Sequence, residues 1–332
     1  MARRESGRDE SEAERSREYS VDYHLSDDSE NIHNAWDNSL DPVLTVEPGD
    51  VVEFECRDAV DGQVGPDATA AEFGQVSFDP VHPLTGPVYV EGAEPGDVLE
   101  VELLDFEHKG WGYTGFMPGD MGLGLLPDDF EEPGYHAWDL DDDVGHFVND
   151  IEVPLDPFPG TIGNAPAEAG EHDTLPPRDT GGNVDVKHLT EGSTVYLPVE
   201  CEGALFSTGD CHAAQGDGEV CVTGIEAPMF VTARFDVRKE MDVEQPEFES
   251  DHPYTATGKD EPMYGTTGIA SDLMEATKKA VRHMIAHLHE ERDLTRAEAY
   301  ILCSAAVDLK VSQVVDAPNW TVTAYLPESI FP

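Results

Sequence analysis

Within residues 208–221, TGDCHAAQGDGEVC, the side chains of Asp210, His212, Asp217 and Glu219 stand among three glycines. Asp210 and His212 are two positions apart, and Asp217 and Glu219 repeat that spacing. On an extended backbone, side chains at i and i+2 point the same way, so each pair can present two oxygen or nitrogen ligands to one point. A divalent cation requires such convergence. Hard carboxylates with a neutral imidazole suit zinc first, with calcium or manganese as alternatives. Gly209, Gly216 and Gly218 permit positive φ, and backbone N–H groups at Gly216 and Gly218 can be turned toward an anion or a developing oxyanion. The plain alternative is a set of Asx-type turns at Asp210, Asp217 and Gly218. Against it stands the setting, because GALFS precedes the stretch and a long, sparsely charged run follows it. The polar groups are therefore expected in a loop between buried strands.

Other residues must complete such a site. His33 lies in NIHNAWD beside Trp36, and His82 in VHPLTGPVYVEG precedes a proline, which predicts an extended backbone there. Glu91 ends the same segment and is expected to face the same cleft. Cys211 is a rival nucleophile, but adjacent residues on a strand point to opposite faces, which makes His212 a poor base for it. His283 and His287 have the i, i+4 spacing of a helical metal pair without the full H-E-x-x-H pattern, and are read as solvated.

The elements that must position these groups are mostly strands. VEPGDVVEFEC (46–56) and AEPGDVLEVELL (93–104) share a Pro-Gly-Asp turn followed by strict alternation, with glutamates on one face. LTEGSTVYLPVE (189–200) is a looser third copy, whose Pro198 predicts an edge strand. This pattern predicts antiparallel strands, packed on one side and wet on the other, built from duplicated β-units. Residues 105–190 are rich in glycine, proline and aspartate and read as non-periodic chain that builds a site. Residues 271–290 carry Leu273, Met274, Val281, Met284, Ile285 and Leu288 on one helical stripe, and Thr295 with Glu298 forms a capping box opening a second helix. The expected fold is mainly β, a large β-sandwich or distorted barrel. Its β core spans about 19–240, a C-terminal helical hairpin about 271–312, and a returning strand 319–327, all in one domain (19–332) behind a polar tail (1–18).

Charge narrows the class of partner. The chain of 332 residues has 70 acidic against 19 basic side chains, a formal net charge of −51. Nucleic acid and anionic membranes are excluded, since their phosphates would be repelled over the whole surface. With 39% hydrophobic residues the chain has enough to fold, so the acidity reads as the coat of a halophilic-type protein whose self-repulsion high salt screens. The five cysteines show no C-x-x-C pairing, and neither a signal peptide nor an apolar run of about 20 residues is apparent. A reducing, cytoplasmic setting is the expectation.

HPLTGPVYVEGAEPGDVLEVELLDF, PFPGTIGNAPAEAGEHDTLPPRDTGGNVD, GSTVYLPVECEGALFSTGDCHAAQGDGEVC and DLKVSQVVDAPNWTVTAYLP together resemble the acetamidase/formamidase family, from about residue 30 to the end and in order. The resemblance implies a β-rich homo-oligomeric hydrolase that turns short amides such as formamide or acetamide into carboxylate and ammonia, on a fold with which metals are associated. The residues then take roles as read from this sequence. Asp210 and His212, with His33 or His82 and Asp217, hold the metal; Glu91 or Glu219 moves the proton; backbone at Gly216 and Gly218 helps hold the oxyanion. Trp36, Phe206 or the 111–116 aromatics crowd the acyl pocket. Two other readings stay open: a non-catalytic β-module binding a divalent ion or small amide, and a hydrolase of another C–N bond, ureido or guanidino.

Overall fold

A computed structural model describes residues 19–119, 122, 124–250, 263–313 and 320–332; the polar tail at 1–18 lies outside the described residues. The two Pro-Gly-Asp turns are built alike. Gly49 and Gly96 have φ of +99° and +98°, the left-handed conformation required after proline in a type II turn. The carboxylates of Asp50 and Asp97 accept hydrogen bonds from the Glu47 and Glu94 N–H groups, both at 2.8 Å. These turns launch the strands Val51–Cys56 and Val98–His108. Val52, Phe54, Leu99 and Val101 are fully buried on the inner face. On the outer face the alternating glutamates meet cations, as in Glu102 with Arg234 at 2.7 Å.

Both strands flank Met229–Arg238 at the centre of a six-stranded sheet, which Tyr23–Leu25, Thr194–Pro198 and Glu247–Glu249 complete. The edge expected at Pro198 is local. Among the described residues, Glu247–Glu249 pairs only with Thr194–Tyr196, so Pro198 projects past it and pairs Val98 alone. A seven-stranded sheet packs against the first and carries Phe206–His212 between Phe158–Gly163 and Leu84–Val90. Phe54 and Phe235 from one sheet meet Phe206 from the other, with ring centroids 5.7 and 5.0 Å apart. The fold is a distorted β-sandwich, and no described sheet closes into a barrel.

Two expectations about the elements need correction. The segment 105–190 is strand-rich: Trp111–Phe116, Gly134–Leu140, Val144–His146 and Glu152–Pro154 form a four-stranded sheet. Glycines hide its alternation. Gly112 and Gly115 stand where a Cβ would strike the Glu226 carbonyl or the Phe73 ring. The helical hairpin also ends early. After α1 (Ala70–Phe73), the later helices are α2 (Leu273–Glu291), capped by Asp272, and α3 (Arg296–Ala306), opened by the Thr295–Glu298 capping box. Asp308–Gln313 is a strand, held extended where the Leu309 N–H donates to the Asp217 carbonyl at 3.1 Å. It pairs with Trp320–Pro327, which Met263–Ala270 flanks on the other side. On α2, Val281, Met284, Ile285 and Leu288 are buried as expected, but Leu273 and Met274 are exposed at its first turn. His283 is exposed, and His287 stacks on Tyr264. No helix among the described residues is long and apolar enough to cross a membrane.

Candidate active site

The strand Phe206–His212 brings Asp210 and His212 to the floor of a cavity of about 460 Å³. Both are buried, and His212 Nε2 lies 3.9 Å from Asp210 Oδ1. The strand is not evenly extended there, because Asp210 has φ +50°. His82, Asp185 and Glu219 share that left-handed conformation, at +54°, +47° and +40°. Non-glycine residues adopt it at an energetic penalty, so four such positions around one imidazole mark a site that the surrounding fold over-determines. His82 thus departs from the extended backbone expected before proline; its N–H donates to the Ala59 carbonyl at 2.8 Å.

Two carboxylates unforeseen from the sequence complete the group. Glu226 sits in a segment wedged between sheets: its N–H and carbonyl pair with Tyr113, while the flanking Ala227 N–H donates to the Cys211 carbonyl. This places Glu226 Oε1 2.8 Å from His212 Nε2. Its signal was a lone acid in the otherwise apolar run GIEAPMF. Asp185 Oδ1 lies 4.0 Å from His212 Nδ1, and it stood at the end of a stretch read only for its overall pattern. Glu219 Oε1 is 3.5 Å from His212 Nε2. Gly160 leaves room for the ring, since a Cβ there would sit 2.4 Å from His212 Cε1. Thr161 donates to Asp210 at 3.2 Å, Asn183 donates to Asp185 at 3.0 Å, and His82 Nε2 stands 3.6 Å from Asp210.

Four carboxyl groups around one imidazole cannot all be charged in a low-dielectric interior. Burial pushes Glu219 well above the usual carboxylate range, with the Asp185 charge adding to it. Burial likewise raises Glu226 to about 8 and Asp185 to about 6. Asp210 goes the other way, because the His82 and His212 charges outweigh its burial. For His212, burial lowers the pKa, but the Glu226, Asp210 and Glu219 carboxylates together raise it well above its ordinary value. His212 and Glu226 therefore titrate as a coupled pair. Among the described residues, Asp210 Oδ1, Glu226 Oε2, Asp185 Oδ1, His212 Nδ1 and His82 Nδ1 are buried without hydrogen-bond partners. Unsatisfied acceptors at this density suit a cation. Two overlapping triples, Asp210–His212–Glu226 and Asp185–His212–Glu219, each hold their ligand atoms within 4.8 Å of one another.

The remaining sequence-read residues lie elsewhere. His33 is engaged at both ring nitrogens, by Ser207 Oγ and the Ala35 carbonyl, each at 2.8 Å, with Trp36 edge-on beside it. Glu91 is exposed in a turn where its N–H donates to Val46. Asp217 faces Lys187, 3.6 Å away, on the side of the C-terminal strands; the i, i+2 rule fails for Asp217 and Glu219 because they sit in a turn. The Gly216 N–H is spent on the Ser304 carbonyl, and Gly218 is exposed beside Leu309. Neither is among the residues lining the cavity. Phe206 belongs to the main core, and Tyr113 is the aromatic from 111–116 that walls the cavity. Cys211 is buried, absent from the cavity lining, and its thiol is pushed well above its ordinary pKa by Cys56 and by burial.

The sequence profile of the Acetamidase/Formamidase family matches residues 18–172 and 167–332. The chain belongs to that family. Among acetamidase/formamidase relatives, it is 30% identical to a formamidase of Methylophilus methylotrophus, over 90% of this chain and 89% of the relative. It is 31% identical to an acetamidase of Mycolicibacterium smegmatis, over 67% of this chain and 70% of that one. Solved structures share the fold. A gamma lactamase from Delftia acidovorans superposes with a TM-score of 0.86 at 29% identity, covering 93% of both chains. An acetamidase from Bacillus halodurans gives 0.65 at 34% identity, covering 92% of this chain and 97% of the other.

Proposed function

We propose that the cluster around His212 hydrolyses the C–N bond of linear carboxamides to carboxylate and ammonia, with a divalent cation, zinc in first place, held by Asp210, His212 and Glu226. The family supports amide hydrolysis by an amidohydrolase. The observation that carries the assignment to this site is the meeting of buried, partnerless carboxylate and imidazole atoms at the floor of the cavity. When bound, the cation supplies Lewis acidity toward the carbonyl and lowers the pKa of water toward about 7.

The chain's own groups do the rest. Glu219 lines the cavity with its Oε1 3.5 Å from His212, placed to accept a proton from attacking water once ionised and to return it to the departing nitrogen. Thr161, Asn183 and His82 hold Asp210 and Asp185 in place, the orienting work that ligand sets need from their neighbours. Apolar walls exclude bulk water and strengthen each electrostatic contact inside.

Ammonia release from formamide and acetamide by the zinc-loaded chain in molar potassium chloride tests the reading directly. A chain that binds zinc yet releases ammonia from no amide would refute hydrolysis and leave a binding protein. Cys211→Ser should keep its turnover within about twofold, since Cys211 does not line the cavity; loss of turnover in a folded variant would favour the cysteine route.

Stability should report the same cation. Glu226, Glu219 and Asp185 titrate higher in the folded chain than unfolded. The folded state then binds more protons, so the metal-free chain loses stability as pH rises from about 5 to about 8. A cation that replaces those protons should stabilise more at the upper end and release protons on binding. Thermal unfolding with and without zinc at the two pH values checks this, and an equal zinc shift at both would contradict it.

A further inference from the structure

Formamide and acetamide are far smaller than the cavity that ends at His212. Its volume of about 460 Å³ lies in the range that encloses drug-sized ligands. Its polar lining is gathered around the carboxylate cluster, and the other walls are apolar: Val60, Phe73, Val76, Phe78, Val81 and Leu175. Val60, Phe73 and Val81 belong to a second hydrophobic cluster, separate from the sandwich core, on which Val76, Phe78 and Leu175 pack. The pocket opens to solvent on one side, and its apolar walls would fold together over it unless they were held apart. Here they are held. Asp58 accepts hydrogen bonds from the Val60 and Gly62 N–H groups at 3.1 and 2.8 Å. The Thr174 hydroxyl donates to the Val81 carbonyl at 3.0 Å, and the Tyr135 hydroxyl to the Gly65 carbonyl at 2.8 Å. The Thr69–Glu72 capping box fixes α1, whose Phe73 ring tilts against Tyr113 and Tyr135 at 5.9 and 5.5 Å.

We infer that this chamber receives the acyl group, and that the preferred substrates are primary carboxamides with an apolar acyl group the size of a phenyl ring or a pentyl chain. The inference rests on the amide-hydrolase reading and names its substrate class. The reaction balances as for any primary amide. Water's oxygen forms the new C–O bond, the C–N bond breaks, and the nitrogen leaves as ammonia with a proton from that water. A one- or two-carbon acyl group would leave most of the apolar wall uncovered, whereas each methylene moved from water onto that wall contributes about fourfold in kcat/KM.

The test is the zinc-loaded full chain assayed by ammonia release across formamide, acetamide, butanamide, hexanamide and benzamide. The expected result is a rise of about fourfold per methylene from acetamide to hexanamide, with benzamide about a hundredfold above acetamide. Acetamide or formamide at the top of the series overturns the substrate class and leaves amide hydrolysis standing; silence across the series removes both. Binding gives a readout without turnover. In the metal-stripped chain, calorimetry should show benzamide at least about tenfold tighter than acetamide, and equal affinities would overturn the inference. Val81→Phe, which narrows the chamber, should lower the benzamide-to-acetamide ratio about tenfold or more; an unchanged ratio in the folded variant counts against it.

Discussion

Glu226→Gln and Asp210→Asn should each lower amide hydrolysis on the order of a thousandfold. Both keep the volume of the native side chain; Glu226→Gln replaces a carboxyl whose charge burial opposes, whereas Asp210→Asn removes a charge that His82 and His212 favour. The metal-free Glu226→Gln chain should therefore unfold no earlier than the native chain, whereas Asp210→Asn should unfold earlier, by about 1–3 kcal/mol. What they lose is the cation. The native chain should gain about 4 kcal/mol from zinc at a thousandfold excess over its Kd, and each variant should gain much less. For Glu226→Gln the pairing of these readouts separates a functional from a structural role, since a structural residue would change the metal-free transition instead. Glu226→Gln is the sharper case, because its Oε1 is 2.8 Å from His212 and its Oε2 has no partner. Native kcat/KM and a native zinc shift in either variant would dismiss the site.

The second large effect concerns stability. Lys187 is only 6% exposed; its ammonium contacts the buried Asp308 and lies 3.6 Å from Asp217. The pair ties the segment after Gly181–Asn183 to the strand Asp308–Gln313, so it joins the sandwich to the C-terminal layer. Lys187→Met should destabilise the chain by about 3 kcal/mol, because the buried Asp308 carboxylate keeps only the more distant Lys310 ammonium, 4.0 Å away, and the Asp217 N–H at 3.3 Å among the described residues. Adding Asp308→Leu should recover most of the loss, as replacing both partners of a buried pair with packed apolar groups is often neutral. Molar salt should change neither result, for screening acts on exposed charges and scarcely on buried ones. Denaturant titration of the single and double variants measures the effect; a single variant within about 1 kcal/mol of native would show that the pair is not required.

Neighbouring residues were enough to announce several features. The repeated Pro-Gly-Asp turns, the alternating strands after them and the capping box at Thr295 all depend on chemistry spanning a few positions, and each has its expected form. The same short range explains why Asp210 and His212 were read as a pair from their spacing. It also explains the misreadings. Gly112 and Gly115 look like loop residues because their reason lies across the fold, in Glu226 and Phe73. Asp217 and Glu219 repeat the spacing of Asp210 and His212, yet the turn that holds them sends one to Lys187 and the other to His212.

Which acids surround His212 was set at long range. Glu226 arrives through a backbone bridge to Tyr113, and Asp185 through a turn beside Gly160, while Glu91 and His33 are carried off to a turn and to Ser207. Side-chain direction along one strand follows from a period of two residues, and can be read without the rest of the chain. Convergence of separate strands depends on their register and on which segment wedges between the sheets, and those follow from packing of the whole core.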